Sequence, residues 1–371
     1  MTFAPRMTPI GGRDVHLATH LFRPDRLALA RELRGFTKVE LAELVGKTPS
    51  ALSQFESGRI KPDPQTTTAL ADVLQVPLGF FAHTSVTQPL STDSAFFRSL
   101  RSTSQKDRRR LLARGTLICD LVRLLEDQVD FPSVQVQLAD MTTRSGDDIE
   151  RCALDVRAAL GLGLGPIPSI IALLESKGVL ITRVPSSCSE VDAFSVRSNY
   201  RPIVFLVTEK RSASRTRFDA AHELGHLVMH ADVATANPDT EREANRFAGA
   251  FLVPRESFLR ECPRYLNWDH FYELKRRWLM SVAALVRRAF DLGLLSEASY
   301  RRAFMQLNQR GERLQEHDEP PVEQPTLLRQ AVALLGEDMP LEALCSHLGI
   351  NRALLEELVD DGTAYPTTRQ P

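Results

Sequence analysis

Residues 218–230 read FDAAHELGHLVMH, and within them His222, Glu223 and His226 have the spacing H-E-x-x-H. Residues four apart lie on one face of an α-helix, so His222 and His226 can aim at one point. Glu223 is offset by one residue's rotation, which brings its carboxylate beside that point without competing for it. Phe218, Ala221, Leu224 and Val228 give such a helix an apolar side, and Gly225 permits another element to approach closely. Two imidazoles with a flanking carboxylate are the donor set of a metal ion that activates water, the glutamate serving as general base.

A catalytic metal needs a third protein ligand and an open fourth position. Three downstream residues qualify by type: His230, Glu241 and Glu243. His230 drifts about 80° from the His222 direction on an ideal helix and is poorly aimed. TEREANRFAGAFLVP (240–254) reads as a second helix after a loop, with Glu241, Asn245, Ala248 and Leu252 on one stripe. Glu241 is therefore the favoured ligand, with Asn245 one turn on, placed to hydrogen-bond a ligating histidine. Glu243, on roughly the opposite side, is the alternative. Upstream, VLITRV, DAFSVRS and PIVFLVT read as short strands, so 149–258 is a mixed α and β domain holding the cluster. His230, Tyr200, Arg217 and Tyr265 are candidates for holding a developing oxyanion, and the sequence does not choose among them.

The first part of the chain has a different character. Thr37 followed by Glu40 predicts a capping box, VELAELV an amphipathic helix, and Gly46 its end. Thr48 then caps a second helix with Pro49 at its first position, Leu52 and Phe55 turned inward and a polar outer face. Two short helices across a glycine-containing turn are a helix-turn-helix. Residues 1–21 read as a tail, 22–85 as this all-α module and 86–148 as a basic linker and helix. Residues 259–315 read as a helical extension and 316–371 as a Pro-rich linker with C-terminal helices. Arg287, Arg288, Arg301 and Arg302 of the extension are expected on a solvated face.

The 371 residues carry 46 Lys and Arg against 47 Asp and Glu, so a nucleic-acid signal has to be local. It is mild: residues 1–85 hold ten Lys and Arg against eight acids. Arg98, Arg101, Lys106, Arg108, Arg109, Arg110 and Arg114 form a basic run just beyond, read equally as a phosphate contact or a solvated linker face. The five cysteines are scattered without a C-x-x-C pair, which argues against a disulfide framework and a thiolate zinc site and fits a reducing cytoplasm. No apolar run is long enough for a membrane span, so no membrane partner is expected.

Arg31, Gly35, Thr37, Glu40, Leu41, Ala42, Gly46, Ser53, Phe55, Glu56, Gly58, Lys61 and Pro62 make the N-terminal module resemble the XRE family of helix-turn-helix domains. That resemblance implies double-stranded DNA as a partner. It places Lys38 and Arg59 toward phosphates and Thr48, Ser50, Ala51 and Gln54 toward base edges, with Ser57 and Lys61 in the same DNA-contacting set. RTRFDAAHELGHLVMH followed by EREANRFAGAFLVP resembles the ImmA/IrrE family of metallopeptidases, and Trp278, Ser281, Ala284, Leu285, Arg288 and Ala289 match a trailing element of members fused to an XRE domain. Asp219, where Thr is common, and DAFS in place of D-G-F-S are departures that touch no ligand.

The resemblance covers about residues 24–310. It implies an α+β, predominantly helical fold: an all-α helix-turn-helix domain, then a zincin-like domain with a small sheet and a helical C-terminal extension. His222, His226 and Glu241 would hold Zn2+, with Mn2+ suited to the same donors, and Glu223 would be catalytic. The expected function is a cytoplasmic DNA-binding regulator with a zinc endopeptidase domain. Its protein substrate would be a repressor or antitoxin in a stress or mobile-element response, and a homodimer is an admissible state. The alternative is a transcription factor whose peptidase-like domain senses metal, ligand or partner without significant proteolysis.

Overall fold

A computed structural model describes residues 18–84, 89–90, 104–137, 145–184, 193–197, 201–207, 212–230, 237–312 and 316–359. Tyr200 and the Arg98 and Arg101 part of the basic run lie outside these residues. The chain divides into two compact units, one within Met1–Leu90, Ser104–Val129 and Val332–Asp360, the other within Ser91–Thr103, Asp130–Ala331 and Asp361–Pro371. The fold is α+β and predominantly helical.

In the first unit α1 (Pro24–Leu33), α2 (Lys38–Leu44), α3 (Pro49–Glu56) and α4 (Pro64–Leu74) follow one another across tight turns. Thr37 and Glu40 form the capping box expected of them, and the Thr48 hydroxyl caps α3 by accepting from the Ala51 amide at 3.2 Å. Gly46 supplies the positive φ of 63° that ends the α2 segment. Leu27, Leu41, Leu52 and Leu70 are fully buried where these helices meet. Arg31 is buried and fixed to Glu56 at 2.5 Å, so an ion pair ties α1 to the end of α3. The unit also takes in α5 (Gln105–Glu126) and, from the far end of the sequence, the helices Leu341–Leu348 and Arg352–Val359. Glu357 accepts from Arg34 and from the buried Arg114, so the C-terminal segment is built into the helix-turn-helix unit.

The second unit holds α6 (Gly146–Ala159), α7 (Ile170–Ser176), β1 (Leu180–Val184), β2 (Ala193–Arg197) and β3 (Pro202–Val207). The sheet order is β1-β3-β2, with β1 parallel and β2 antiparallel to β3. Two helices follow, α8 (Ala213–Met229) and α9 (Pro238–Leu252). They cross at Gly225, where an added Cβ would lie 3.0 Å from the Phe247 ring and 3.4 Å from the Ala244 Cα. This crossing brings α9 close enough for its side chains to meet those of α8.

Beyond α9, the helices α10 (Arg255–Glu261), α11 (Trp268–Trp278), α12 (Val282–Asp291) and α13 (Glu297–Gln309) bury Phe271, Trp278, Val282, Leu285 and Ala289 in the core that α8 and α9 share. The helical extension is thus part of the mixed domain's core. Arg288, expected on a solvated face, is 3% exposed, donates to Glu150 at 2.7 Å and to the Val253 carbonyl at 3.0 Å. The reason is its place on the apolar side of α12, facing α9 and α6.

The stretch after α13, charged and Pro-rich in sequence, is pinned by its carboxylates. Glu316 accepts from the amides of Val282 and Ala283 at the start of α12 and from Lys275. Glu319 accepts from the Ser214 amide and the Ser212 hydroxyl at the start of α8. Glu323 accepts from the Ile171 amide and the Ser169 hydroxyl at the start of α7. One acid thus meets the unsatisfied amides and positive end of each of three helices.

Candidate metal centre

The α8 helix begins at Ser212, whose hydroxyl accepts from the Arg215 amide, and runs without interruption past the H-E-x-x-H residues. His222 and His226 emerge on one face. The His226 Nε2 lies 3.0 Å from the His222 Nε2, and Glu241 of α9 reaches both, with 3.4 Å to His222 and 3.5 Å to His226. One donor atom from each of His222, His226 and Glu241 falls within 4.8 Å of the others, the only such group of three among the described residues. Two imidazole nitrogens and a carboxylate oxygen at this spacing suit a zinc or manganese ion with an open position.

Asn245, one turn along α9, offers its Oδ1 to the His222 Nδ1 at 3.1 Å. Glu223 points elsewhere: its Oε2 accepts from the Ser195 hydroxyl of β2 at 2.6 Å, and both residues are buried. Burial pushes the Glu223 carboxyl up to about 7, aided by the negative charges of Glu241 and Asp219. His222 and the Ser195 hydrogen bond pull the other way. Burial works against the Glu241 charge as well, yet the adjacent His222 and His226 rings hold that carboxyl well below the usual range. Burial disfavours protonation of both imidazoles; in His222 the carboxylates of Glu241, Glu223 and Asp219 overcome it and raise the pKa, while in His226 burial prevails.

His230 and Glu243, the other candidate ligands, stand apart from the cluster and against each other. His230 is fully buried, with its Nε2 2.8 Å from Glu243 and its Nδ1 3.0 Å from the His226 Nδ1. His230 is the C-cap of α8, where the backbone leaves helical geometry at φ −119° and ψ 19°. Arg217, a candidate for holding an oxyanion, is engaged within the fold. Its buried guanidinium bonds Glu323 and the carbonyls of Ile167 and Pro168, tying α8 to the start of α7. Tyr265 is 66% exposed on the surface. A cavity of about 820 Å³ lies alongside, lined by Phe218, Asp219, Asn245 and Arg246 among others. Ser195 is the residue that sequence reasoning missed; DAFSVRS placed it on a strand, but its pairing with Glu223 depends on packing.

On α3 of the first unit Ser50 is exposed and Ala51 and Gln54 are half-buried, and just beyond its end Ser57, Arg59 and Lys61 are exposed. The Thr48 hydroxyl is engaged as a cap, and the Ser57 hydroxyl donates to the Gln54 carbonyl. Lys38 pairs with Glu56 at 3.1 Å and Lys61 donates to the His20 carbonyl at 2.5 Å. Of the expected cations, Lys38 and Lys61 have these partners, whereas the exposed Arg59 side chain makes no hydrogen bond or ion pair among the described residues. At the head of α5, Lys106, Arg109 and Arg110 are exposed, Lys106 lying 3.3 Å from Glu40.

Residues 27–81 match the sequence profile of the helix-turn-helix family, and residues 174–290 match that of the IrrE N-terminal-like domain. The second match starts in α7, spans the sheet, α8 and α9, and ends in α12. No curated protein matches the chain as a relative.

Proposed function

We propose that this chain, a helix-turn-helix of the XRE type joined to an IrrE-like domain of metallopeptidase type, is a DNA-binding regulator whose second unit is a zinc-dependent endopeptidase. The observation that carries this reading is the convergence of His222, His226 and Glu241 beside a separately held, buried Glu223. His222 and His226 would hold the ion through Nε2 and Glu241 through its carboxylate, Mn2+ being the alternative to Zn2+. A zinc ion in this position would lower the pKa of a bound water and polarise a peptide carbonyl.

The rest of the chemistry belongs to the protein. The Ser195 hydroxyl fixes Glu223 Oε2, which leaves Oε1 to take a proton from attacking water and return it to the departing amine. Burial makes this carboxylate a stronger base than an exposed glutamate, and a metal ion held by His222, His226 and Glu241 would favour its ionised form. Asn245 keeps the His222 proton on Nδ1, so that Nε2 offers its lone pair. The substrate would be a repressor- or antitoxin-like protein, its cleavage releasing genes in a stress or mobile-element response. The helix-turn-helix unit would bring the peptidase to the DNA where that protein sits.

Glu223→Gln and His222→Ala test this reading, with zinc content and target-gene regulation measured for each. Glu223→Gln should retain zinc and abolish regulation, and cleavage should fall by about 10²–10⁴-fold. If it regulates normally while His222→Ala does not, the second unit is a metal-dependent sensor and the proteolytic reading is wrong.

A further inference from the structure

We infer that Glu243 and His230 form a positioning relay that fixes the proton of His226 on Nδ1 and so presents its Nε2 as a metal ligand. This rests on the metal-centre reading proposed above. A neutral imidazole has one N–H and one lone pair, so each ring is an acceptor at one nitrogen only. Glu243 accepts at Oε2 from the His230 Nε2, 2.8 Å away, which places the His230 proton on Nε2. The His230 Nδ1 is then an acceptor, and the His226 Nδ1 stands 3.0 Å from it. His226 therefore carries its proton on Nδ1, and its lone pair lies on Nε2, the atom 3.5 Å from Glu241 and 3.0 Å from the His222 Nε2.

This proton order pairs a donor with an acceptor at both contacts of the relay. With the His230 proton on Nδ1 instead, the two Nδ1–H groups would clash unless His226 moved its own proton to Nε2, which would block the ligand position. With His230 neutral, that arrangement would also set its Nε2 lone pair against the Glu243 carboxylate oxygen 2.8 Å away, two acceptors facing each other. His230 is 0% exposed and His226 1%, so water has little room to substitute for either partner. The α9 helix thus serves the centre three ways: Glu241 as ligand, Asn245 behind His222, and Glu243 through His230 behind His226. The two histidine ligands are set in the same tautomer by different chemistry, one by an amide directly and one by an acid at one remove.

The test compares wild type with His230→Phe, His230→Asn and Glu243→Ala in the full-length protein. Zinc affinity is measured by chelator competition, and geometry by the visible absorption of the cobalt-substituted protein. Metal-free melting temperatures separate folding from ligation, and nitrogen-15 shifts of the His226 ring in metal-free protein read its tautomer.

His230→Phe should keep the packing but weaken zinc by about 10–100-fold and alter the cobalt spectrum. His230→Asn should recover part of that loss, since its amide oxygen can accept from the His226 Nδ1–H. Glu243→Ala should weaken zinc and move His226 toward a mixture of tautomers. If these variants change only the melting temperature, leaving affinity, cobalt spectrum and tautomer as in wild type, the pair is packing and the relay is wrong. If wild type itself binds neither zinc nor cobalt at one ion per chain, the metal-centre reading fails instead, and the relay with it.

Discussion

The two units handle polar side chains in opposite ways. Around α3, Ser50, Ser57 and Arg59 face outward, and the Thr48 and Ser57 hydroxyls serve a cap and a local backbone bond. The cluster on α8 and α9 draws polar groups inward: Glu223, His226 and His230 are at most 3% exposed, each with a partner. A duplex is a large charged surface that is read by exposed groups at the protein's edge. An ion and a single water are instead handled by groups whose orientation is set before the ligand arrives, which requires burial and a full set of hydrogen bonds. Changes at buried polar groups should therefore cost far more stability than changes on the reading face.

The largest effect is expected at Glu323. Replacing it by Ala leaves the buried Arg217 without its acid and uncaps α7, which should cost about 3–5 kcal/mol in urea unfolding. A loss below about 1 kcal/mol would show that the pinned segment is not integral to the second unit. Next comes a pH dependence. The folded-state pKa of Glu223 is raised from 4.5 to about 7, so the native state binds the extra proton between those values. Metal-free stability from this group is present below about 4.5 and is lost as pH rises through 7. Metal-free Glu223→Gln, which does not titrate, should match wild type near pH 4.5. It should exceed wild type by up to about 3 kcal/mol at pH 8. A constant difference across that range would mean Glu223 does not titrate as described.

On the exposed side, Thr48→Ala should lower stability by about 1 kcal/mol through the lost cap of α3, and Thr48→Ser should restore it. Arg59→Ala should leave stability unchanged and reduce the salt dependence of DNA binding by about one phosphate contact. An unchanged salt slope would remove Arg59 from the interface. The smallest effect is expected for Asp239→Ala, whose pair with Arg242 is exposed, at less than about 0.5 kcal/mol. If that pair proved as costly as Glu323, burial would not be the distinction between the two regions.

Much of the architecture was open to sequence reading because it is local. Thr37 with Glu40, Gly46, and Thr48 before Pro49 are caps and turns within a few residues, and they form as their chemistry predicts. The four-residue spacing of His222 and His226 and the stripe of Glu241 and Asn245 are helical periodicities of the same kind. Arg288 and Glu323 misled for the converse reason: a charged residue in a charged stretch reads as solvated, and its buried partner is far away in the chain. Glu150 lies 138 residues from Arg288, and Arg217 lies 106 residues from Glu323.

The sequence by itself determined the helices, their ends, and which side chains share a face, since these follow from backbone geometry repeated every few residues. The tertiary structure decided what each face meets. The close crossing at Gly225 sets the α9 side chains against those of α8, and the edge strand brings Ser195 to Glu223. The end of α8 sets His230 between His226 and Glu243. Those pairings depend on distances across the core, which packing sets and no local repeat encodes.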